Sequence, residues 1–492
     1  MKNIKFISFV LIFSFLVVFP ASCSKKQEHS EEITTDIQSQ ETGESTHETT
    51  PEETDPPLKA IKWNETVSVF TWKEVVDSEF LFEGGSGDVF KEAIYKRIVD
   101  IGWHNEIDFN VTSKNGNWDN KAGFIKAVEA NQAESGDKAY DIVGCYAPIC
   151  GEMAVKGFFA NLADDDAYKY LKLGTGFWPE AYENAARVNN AIYSLTGLIT
   201  PTYIQNMSVV HVNLDMLEKY YPGIDIYKLV NEKKWTYEKL EELALGNSTA
   251  TGDKTEYGFT MSGKVAFDDI FYSAGYSFAE NLEDGSLKLT ELESDEEFIR
   301  FTKYAYSLLN DNSDVAFIPI DAKANATAGT GAGFAHGNVM FNLGNLSNVK
   351  TGLTDVSFKV GIIPIPIYET STNDDYRTLH SFWVTHYSIP RNTDDKELAS
   401  FALNRLQYYG LDVANAYVDT LGADILTKEN TEMIDLICEK LVFDSARIFG
   451  TQIGVFSAFR EVSSSNNWIE YYVAHATEWS ESTKEINRKL GD

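Results

Sequence analysis

A repeated alternation of strand and helix patterns is the feature that most constrains the fold of this chain. Residues 66–72, 107–112 and 140–144 carry the alternating or β-branched apolar pattern of strands. Between them, residues 88–103 and 120–130 place apolar side chains at helical spacing. Strands that are separated by helices pair in parallel through right-handed crossovers. The sequence therefore predicts an α/β fold with a parallel sheet.

The alternation continues to the end of the chain, and no internal repeat interrupts it. The further predicted strands are residues 207–213, 339–341, 360–364 and 382–389. The further predicted helices are residues 177–190, 214–220, 236–245, 294–309, 396–408, 429–441 and 468–490. At roughly 100–200 residues per domain, the 492 residues suggest two or three globular units.

The N-terminus has the pattern of an export signal. Lys2 and Lys5 precede an apolar run from Phe6 to Phe19, which is too short to span a bilayer stably but fits the core of a signal peptide. The residues that follow, Ala21-Ser22-Cys23, are similar to the site at which bacterial lipoproteins are cleaved and acylated. We predict a lipoprotein signal peptide over residues 1–22 and a lipid (palmitate) on Cys23; an ordinary secretory signal is the alternative.

An acidic polar segment follows the signal. Residues 24–57 contain ten acidic residues, two lysines and no Phe, Tyr or Trp, so they cannot bury enough apolar surface to fold. We predict a disordered tether over residues 23–57. The whole chain has a formal net charge of −32, which argues against a nucleic-acid partner.

The cysteines and histidines indicate no metal or cofactor site. The chain has four cysteines, their spacing is unlike a zinc site, and there is no HExxH motif. Cys145 and Cys150 lie five residues apart in a predicted loop, and the sequence leaves open whether they form a disulfide or remain thiols.

Several short segments, in order along the chain, resemble one protein family. Residues 140–164 are similar to its "D-apolar-apolar … G-x-L-x-x-L-x-D" pattern, residues 210–219 to "x-Y-N-K-D-L-F-E-K", and residues 235–240 to "W-T-W-D-E-L". Residues 334–341 are similar to "F-x-x-G-K-x-A-M", and residues 361–366 to "G-V-x-P-x-P". The chain thereby resembles the extracellular solute-binding proteins (family 1) of carbohydrate ABC importers, the maltose-binding-protein-like group.

This resemblance implies a two-lobed periplasmic-binding-protein-like fold of type II, with a hinge and a central ligand cleft. The expected lobes are discontinuous: residues 58–204 plus 340–385, and residues 205–339 plus 386–492. It also implies a monomeric receptor without enzymatic activity, anchored by its lipid at the outer face of the cell membrane. Such a receptor captures a carbohydrate, here expected to be an oligosaccharide, and delivers it to the permease subunits of an ABC importer.

Candidate ligand contacts are aromatic and polar residues at predicted strand ends and in the loops that follow. An aromatic ring can cover the apolar face of a sugar, while carboxylate, amide and imidazole groups bind its hydroxyls. Each candidate could instead serve the protein core. The ten candidates are Trp72, Glu74, Tyr146, Tyr203, Asp268, Phe271, Asn342, Asn345, His380 and Trp383.

Two other function classes remain open from the sequence. An exported glycosidase would use two carboxylates. The chain has 74 acidic residues, so finding a plausible pair does not specifically indicate a glycosidase. A surface adhesion lipoprotein would be expected to show repeats or sandwich-like strands, and the sequence shows neither.

Overall fold

The computed structural model describes residues 56–246, 256–261, 266–311, 316–317, 332–462 and 465–491. The predicted signal peptide, Cys23 and nearly all of the predicted tether lie outside the described residues. Within the described part, no helix is both long enough and apolar enough to cross a membrane.

The first sheet has four strands in the order β11-β3-β1-β2. With strands numbered along the chain, they are β1 (Glu65–Trp72), β2 (Ile107–Lys114), β3 (Ile142–Tyr146) and β11 (Thr385–Ser388). β1 pairs in parallel with both β2 and β3, and β11 pairs antiparallel with β3 at one edge. The predicted α/β fold with a parallel sheet is therefore confirmed.

The second sheet has five strands in the order β10-β4-β9-β5-β8 and mixed pairing. Its strands are β4 (Ser208–Asn213), β5 (Tyr257–Met261), β8 (Ala316–Phe317), β9 (Val339–Asn345) and β10 (Val360–Ile363). A separate antiparallel hairpin joins β6 (Ala279–Asn281) to β7 (Leu287–Leu289).

The pairing of β9 and β10 differs from the predicted division into lobes. Residues 340–385 were expected in the lobe with residues 58–204, yet β9 and β10 both pair with β4 in the second sheet. Only β11 joins the first sheet; it begins at the last residue of this stretch, and its other three residues were expected in the opposite lobe. The reason is that β4 offers two edges, and the apolar strands β9 and β10 occupy both of them, a pairing that no local sequence pattern reveals.

Helices pack against the two sheets. Those of seven or more residues are α1 (Val89–Asn105), α2 (Lys121–Asn131), α3 (Ala147–Val155), α4 (Glu180–Ala186), α5 (Leu214–Tyr220), α6 (Tyr237–Gly246), α7 (Phe267–Ser273), α8 (Glu296–Tyr306), α9 (Lys396–Tyr408), α10 (Gly410–Asp419), α11 (Lys428–Glu439) and α12 (Trp468–Leu490).

Two crossing segments connect the sheets and lie antiparallel to each other. Leu195 pairs with Tyr387, and Met207 pairs with His380. The Ser208 amide donates to the Leu379 carbonyl at 2.9 Å, close to where β4 begins. These paired segments are the structural counterpart of the predicted hinge, because they carry the chain from one sheet to the other and back.

The C-terminal segment contacts both lobes. Its short helices Ser445–Ile448 and Gly450–Ile453 pack on α3, whereas Ala458–Val462 packs on α7. At Gly151 in α3 the contact is between backbones: an added Cβ would lie 2.2 Å from the Ile448 carbonyl oxygen. A residue with a side chain therefore cannot occupy this position without a shift of the backbone.

Candidate ligand cleft

Three aromatic side chains meet at the carboxyl end of the first sheet. Trp72 ends β1, Tyr146 ends β3, and Trp383 lies just before β11. The ring centroid of Trp72 is 5.1 Å from that of Tyr146 and 4.9 Å from that of Trp383. Trp72 is fully buried, but Trp383 is 39% exposed. Trp383 therefore carries the accessible ring of this aromatic cluster.

A small polar cavity opens where the second sheet, the hinge and the C-terminal segment meet. Its volume is about 60 Å³, enough for a few water molecules or hydroxyl groups. Apart from Ala266 and Leu379 its lining is polar, and consists of Asp268, Asp269, Asn345, His380, Ser381 and Arg447.

Asp268 and Arg447 form one wall of the cavity. The Asp268 carboxylate accepts hydrogen bonds from the guanidinium groups of Arg447 and Arg460, and Asp268 and Arg447 are buried. The guanidinium carbon of Arg447 lies 3.7 Å from the Phe382 ring centroid. Since Phe382 is the chain neighbour of Trp383, this stacking joins the cavity to the aromatic cluster.

The two remaining titratable groups of the cavity are shifted toward their neutral forms. Burial raises the pKa of Asp269 to about 7, although its carboxylate accepts a 2.6 Å hydrogen bond from the Ser208 hydroxyl. Burial lowers the pKa of His380 to about 3. Neither ring nitrogen of His380 has a hydrogen-bond partner among the described residues, although buried polar atoms are normally hydrogen-bonded.

A buried hydrogen-bond network ties the aromatic cluster to the hinge. Trp72 Nε1 donates to the Thr385 hydroxyl at 2.8 Å, and Thr385 donates to the Glu79 carboxylate. The same carboxylate accepts from Thr200 and from the Tyr387 hydroxyl. Burial raises the pKa of Glu79, while these donors favour its ionised form. Trp72 is thereby held in one position by residues of both crossing segments.

The structure brings six of the ten predicted contacts together and places four elsewhere. The six are Trp72, Tyr146, Trp383, Asp268, Asn345 and His380. Tyr203 stands behind the cavity, with its ring centroid 4.4 Å from that of His380.

The other three belong to neither the aromatic cluster nor the lining of the cavity. Phe271 is in the core of the second lobe, stacked on Phe278 with a centroid distance of 4.1 Å. Asn342 is buried and bonds its side chain to His211 Nδ1 at 3.2 Å. Glu74 accepts the backbone amides of Gly116 and Asn117 and so fixes a loop. Burial in the core and pairing with protein groups account for these three differences.

Sequence reasoning missed several residues of the site. Arg447 and Arg460 come from short helices near the C-terminus, 179 and 192 residues beyond their partner Asp268. Glu79 ends a four-residue helix, Val76–Glu79, that carries no recognisable motif. The adjacent acidic pair Asp268-Asp269 was the one local signal, because two neighbouring carboxyls in an apolar helix need buried partners.

Cys145 and Cys150 are free and buried, so they form no disulfide in this structure. The segment that contains Cys150 is the helix α3 rather than the predicted loop. Cys150 Sγ lies 3.3 Å from the Ser388 hydroxyl, which packs α3 against β11. No group of three or more His, Cys, Asp or Glu side chains is arranged to hold a metal ion within the described ranges.

No protein-family profile matches the sequence, and no curated protein matches it. Solved structures do match. A cyclo/maltodextrin-binding protein complexed with maltotetraose is 14% identical, with a TM-score of 0.53, over 86% of this chain and 96% of that one. The maltose-binding periplasmic protein MalE of Listeria monocytogenes, in complex with maltose, is 14% identical with a TM-score of 0.52 over 87% and 97%.

The GacH receptor of Streptomyces glaucescens, solved unliganded and with acarbose, is 15% identical with a TM-score of 0.51 over 88% of this chain and 100% of that one. At such identities the likeness concerns the fold. The described chain thus has the two-lobed α/β fold of the maltose-binding-protein-like, ABC-transporter solute-binding proteins.

Proposed function

We propose that this protein is an extracytoplasmic receptor that captures a carbohydrate, most suitably an oligosaccharide, between its two lobes and delivers it to an ABC importer. The observation that carries the proposal is the contact between the aromatic cluster and the polar cavity. Phe382 stacks on Arg447 of the cavity, and its neighbour Trp383 contacts Trp72 and Tyr146.

This combination suits the two kinds of surface that a sugar presents. Trp383 offers an exposed aromatic face, on which the C–H face of a pyranose can stack. Within the cavity, Asn345 and Ser381 can donate and accept hydrogen bonds, and His380 has two unpaired ring nitrogens. Hydroxyl groups need such partners because a buried polar group without a hydrogen bond is costly.

The proposed localisation rests on the N-terminal sequence and on the fold together. Cleavage before Cys23 and acylation of its sulfur would anchor the receptor to the outer face of the cell membrane, and the acidic residues 24–57 would extend the body toward the permease subunits. We expect the Cys23→Ala variant to leave the membrane fraction after cell fractionation, while the protein itself remains folded.

The function is tested by titrating the purified protein with mono- and oligosaccharides of different linkage. Binding should quench or shift tryptophan fluorescence through the aromatic cluster and should raise the melting temperature, since a ligand that binds only the folded state stabilises it. Failure of every saccharide to bind, combined with turnover of a glycoside substrate, would show an enzyme instead of a receptor. Retention of an amino acid or peptide on purification would contradict the carbohydrate assignment.

A further inference from the structure

We propose that Trp118 forms an outer aromatic platform at the mouth of the cleft. On this platform stacks an additional sugar unit, beyond the units that are held between the lobes. This inference rests on the proposed carbohydrate function and deepens it, because it makes binding depend on the length of the saccharide. Trp118 lies in the loop between β2 and α2, and its side chain is 46% exposed.

The loop is fixed in place by contacts that do not involve the indole itself. The Glu74 carboxylate accepts the backbone amide of Gly116 at 3.0 Å and that of Asn117 at 3.3 Å. The Asn117 side chain in turn accepts both the backbone amide and the side-chain amide of Asn120. Trp118 is thereby carried on a tight turn with a preset backbone, which reduces the ordering cost of binding.

Gly116 shows how closely this loop lies against the aromatic cluster. A Cβ atom at Gly116 would approach the Trp72 Cβ to 2.8 Å and the Phe124 ring to 2.7 Å. Since only a glycine permits that approach, the loop backbone packs directly on the base of Trp72. The side chain two residues later therefore stands at the carboxyl edge of the first sheet, on the same edge as Trp72 and Tyr146.

Two further observations orient the platform. Lys121 Nζ lies 3.5 Å from the Trp118 ring centroid, so a cation–π contact holds one side of the ring. Burial raises the pKa of the Tyr146 hydroxyl, and the charge of Asp119 adds to that effect, which places this loop within electrostatic reach of Tyr146. The indole is therefore carried on a fixed backbone, with Lys121 on one side of the ring, and its exposed part has the form of a stacking surface.

The same lobe supplies a matched control. Trp103, near the end of α1, is 78% exposed, but its backbone carbonyl accepts from Lys62 beside the start of β1, at the amino ends of the strands. It is therefore an exposed tryptophan on the edge of the sheet opposite to the cleft. A general effect of removing a surface indole would be the same at both positions, whereas the platform predicts an effect at Trp118 alone.

The test measures the affinity of full-length protein, purified in detergent, for α- and β-linked gluco-oligosaccharides of one to five units. We expect Trp118→Ala to weaken binding of the longest saccharides about tenfold, which corresponds to the loss of one aromatic stacking contact. Binding of the shortest saccharide that binds should weaken less than twofold. Trp118→Phe should restore most of the loss, and Glu74→Ala should reproduce part of it. Trp103→Ala should change neither affinity.

The possible failures are distinguishable. If the wild type binds no saccharide, the proposed function and this inference are both wrong. If it binds, but Trp118→Ala and Trp103→Ala behave alike at every length, only the platform is overturned. An equal loss for all lengths would also overturn it, because Trp118 would then belong to the central site.

Discussion

Two neighbouring carboxyl groups in the cavity show how strongly local partners decide the state of a residue. Asp268 is bonded to two guanidinium groups, whereas the hydrogen bond of Asp269 comes from the neutral Ser208 hydroxyl. Asp268 thus has the partners that a buried carboxylate requires. Asp269 is a half-buried acid with a pKa of about 7 and can exchange a proton near neutral pH.

The raised pKa of Asp269 makes a signed prediction about stability. Unfolded Asp ionises near pH 4, so between about pH 4 and 7 the folded state holds a proton that the unfolded state has lost. The contribution of Asp269 to stability is therefore complete below pH 4 and is lost as the pH rises through 7. Relative to Asp269→Asn, the wild type should become less stable over this range in urea unfolding. A pH-independent difference between the two proteins would contradict this prediction.

Trp72 and Trp383 touch each other but should respond differently to truncation. Trp72 is fully buried, and its loss should lower the free energy of unfolding by about 3–5 kcal/mol. Trp383 is partly exposed, so Trp383→Ala should cost less than about 1 kcal/mol yet weaken saccharide binding about tenfold. Thermal melting and calorimetric titration of both variants separate the two effects. Equal stability losses would show that the accessible ring has been assigned wrongly.

At the scale of elements, the Glu79 network makes the hinge depend on one short helix. The indole N–H can only donate, so Thr385 must accept from Trp72 and donate to Glu79. Glu79→Ala would leave three buried hydroxyls without their acceptor and should lower the free energy of unfolding by about 3–5 kcal/mol. Glu129→Ala, on the exposed surface of α2, should change it by less than about 0.5 kcal/mol. Chemical denaturation measures both, and similar values would refute the network's role.

Elements with a strong local pattern could be predicted from the sequence, and those formed by distant partners could not. The alternation of β1 and the apolar stripe of α1 predicted both elements to within two residues. The strand β5, the hairpin of β6 and β7, and the helix α3 were missed, because their patterns are short or their context is set by buried neighbours.

The candidate site shows the same division. A tryptophan at the end of a strand predicts a position at the sheet edge, and Trp72 occupies it. The roles of Phe271 and Asn342, by contrast, depend on Phe278 and His211, which local spacing does not reveal. Arg447 and Arg460 are separated from Asp268 in the sequence by the strands β6 to β11 and by the helices α8 to α11.

At the scale of the whole molecule, two sheets joined by paired crossing segments predict a hinge motion on binding. Small-angle scattering should show a smaller radius of gyration in the presence of a bound saccharide than in its absence. Trp383→Ala at a saccharide concentration near the wild-type Kd provides the control. With tenfold weaker binding it should be about one-tenth occupied where the wild type is half occupied, so its radius should stay close to the ligand-free value. An unchanged radius for the saturated wild type would contradict the hinge.

The close backbone contact at Gly151 affects which segments move together when the cleft opens. Gly151 lies directly against the Ile448 carbonyl and the Phe449 Cα, so α3 cannot slide along this contact without a shift of the backbone. We therefore expect the segment 445–453 to travel with the first lobe. The helix Ala458–Val462 instead belongs with the second lobe, because the Phe459 ring centroid lies 5.5 Å from that of Phe271 and 5.6 Å from that of Phe301. Opening would then separate Arg447 from Asp268 and leave Arg460 paired with it, so an incoming ligand would meet a carboxylate from which one of two guanidinium partners has been withdrawn.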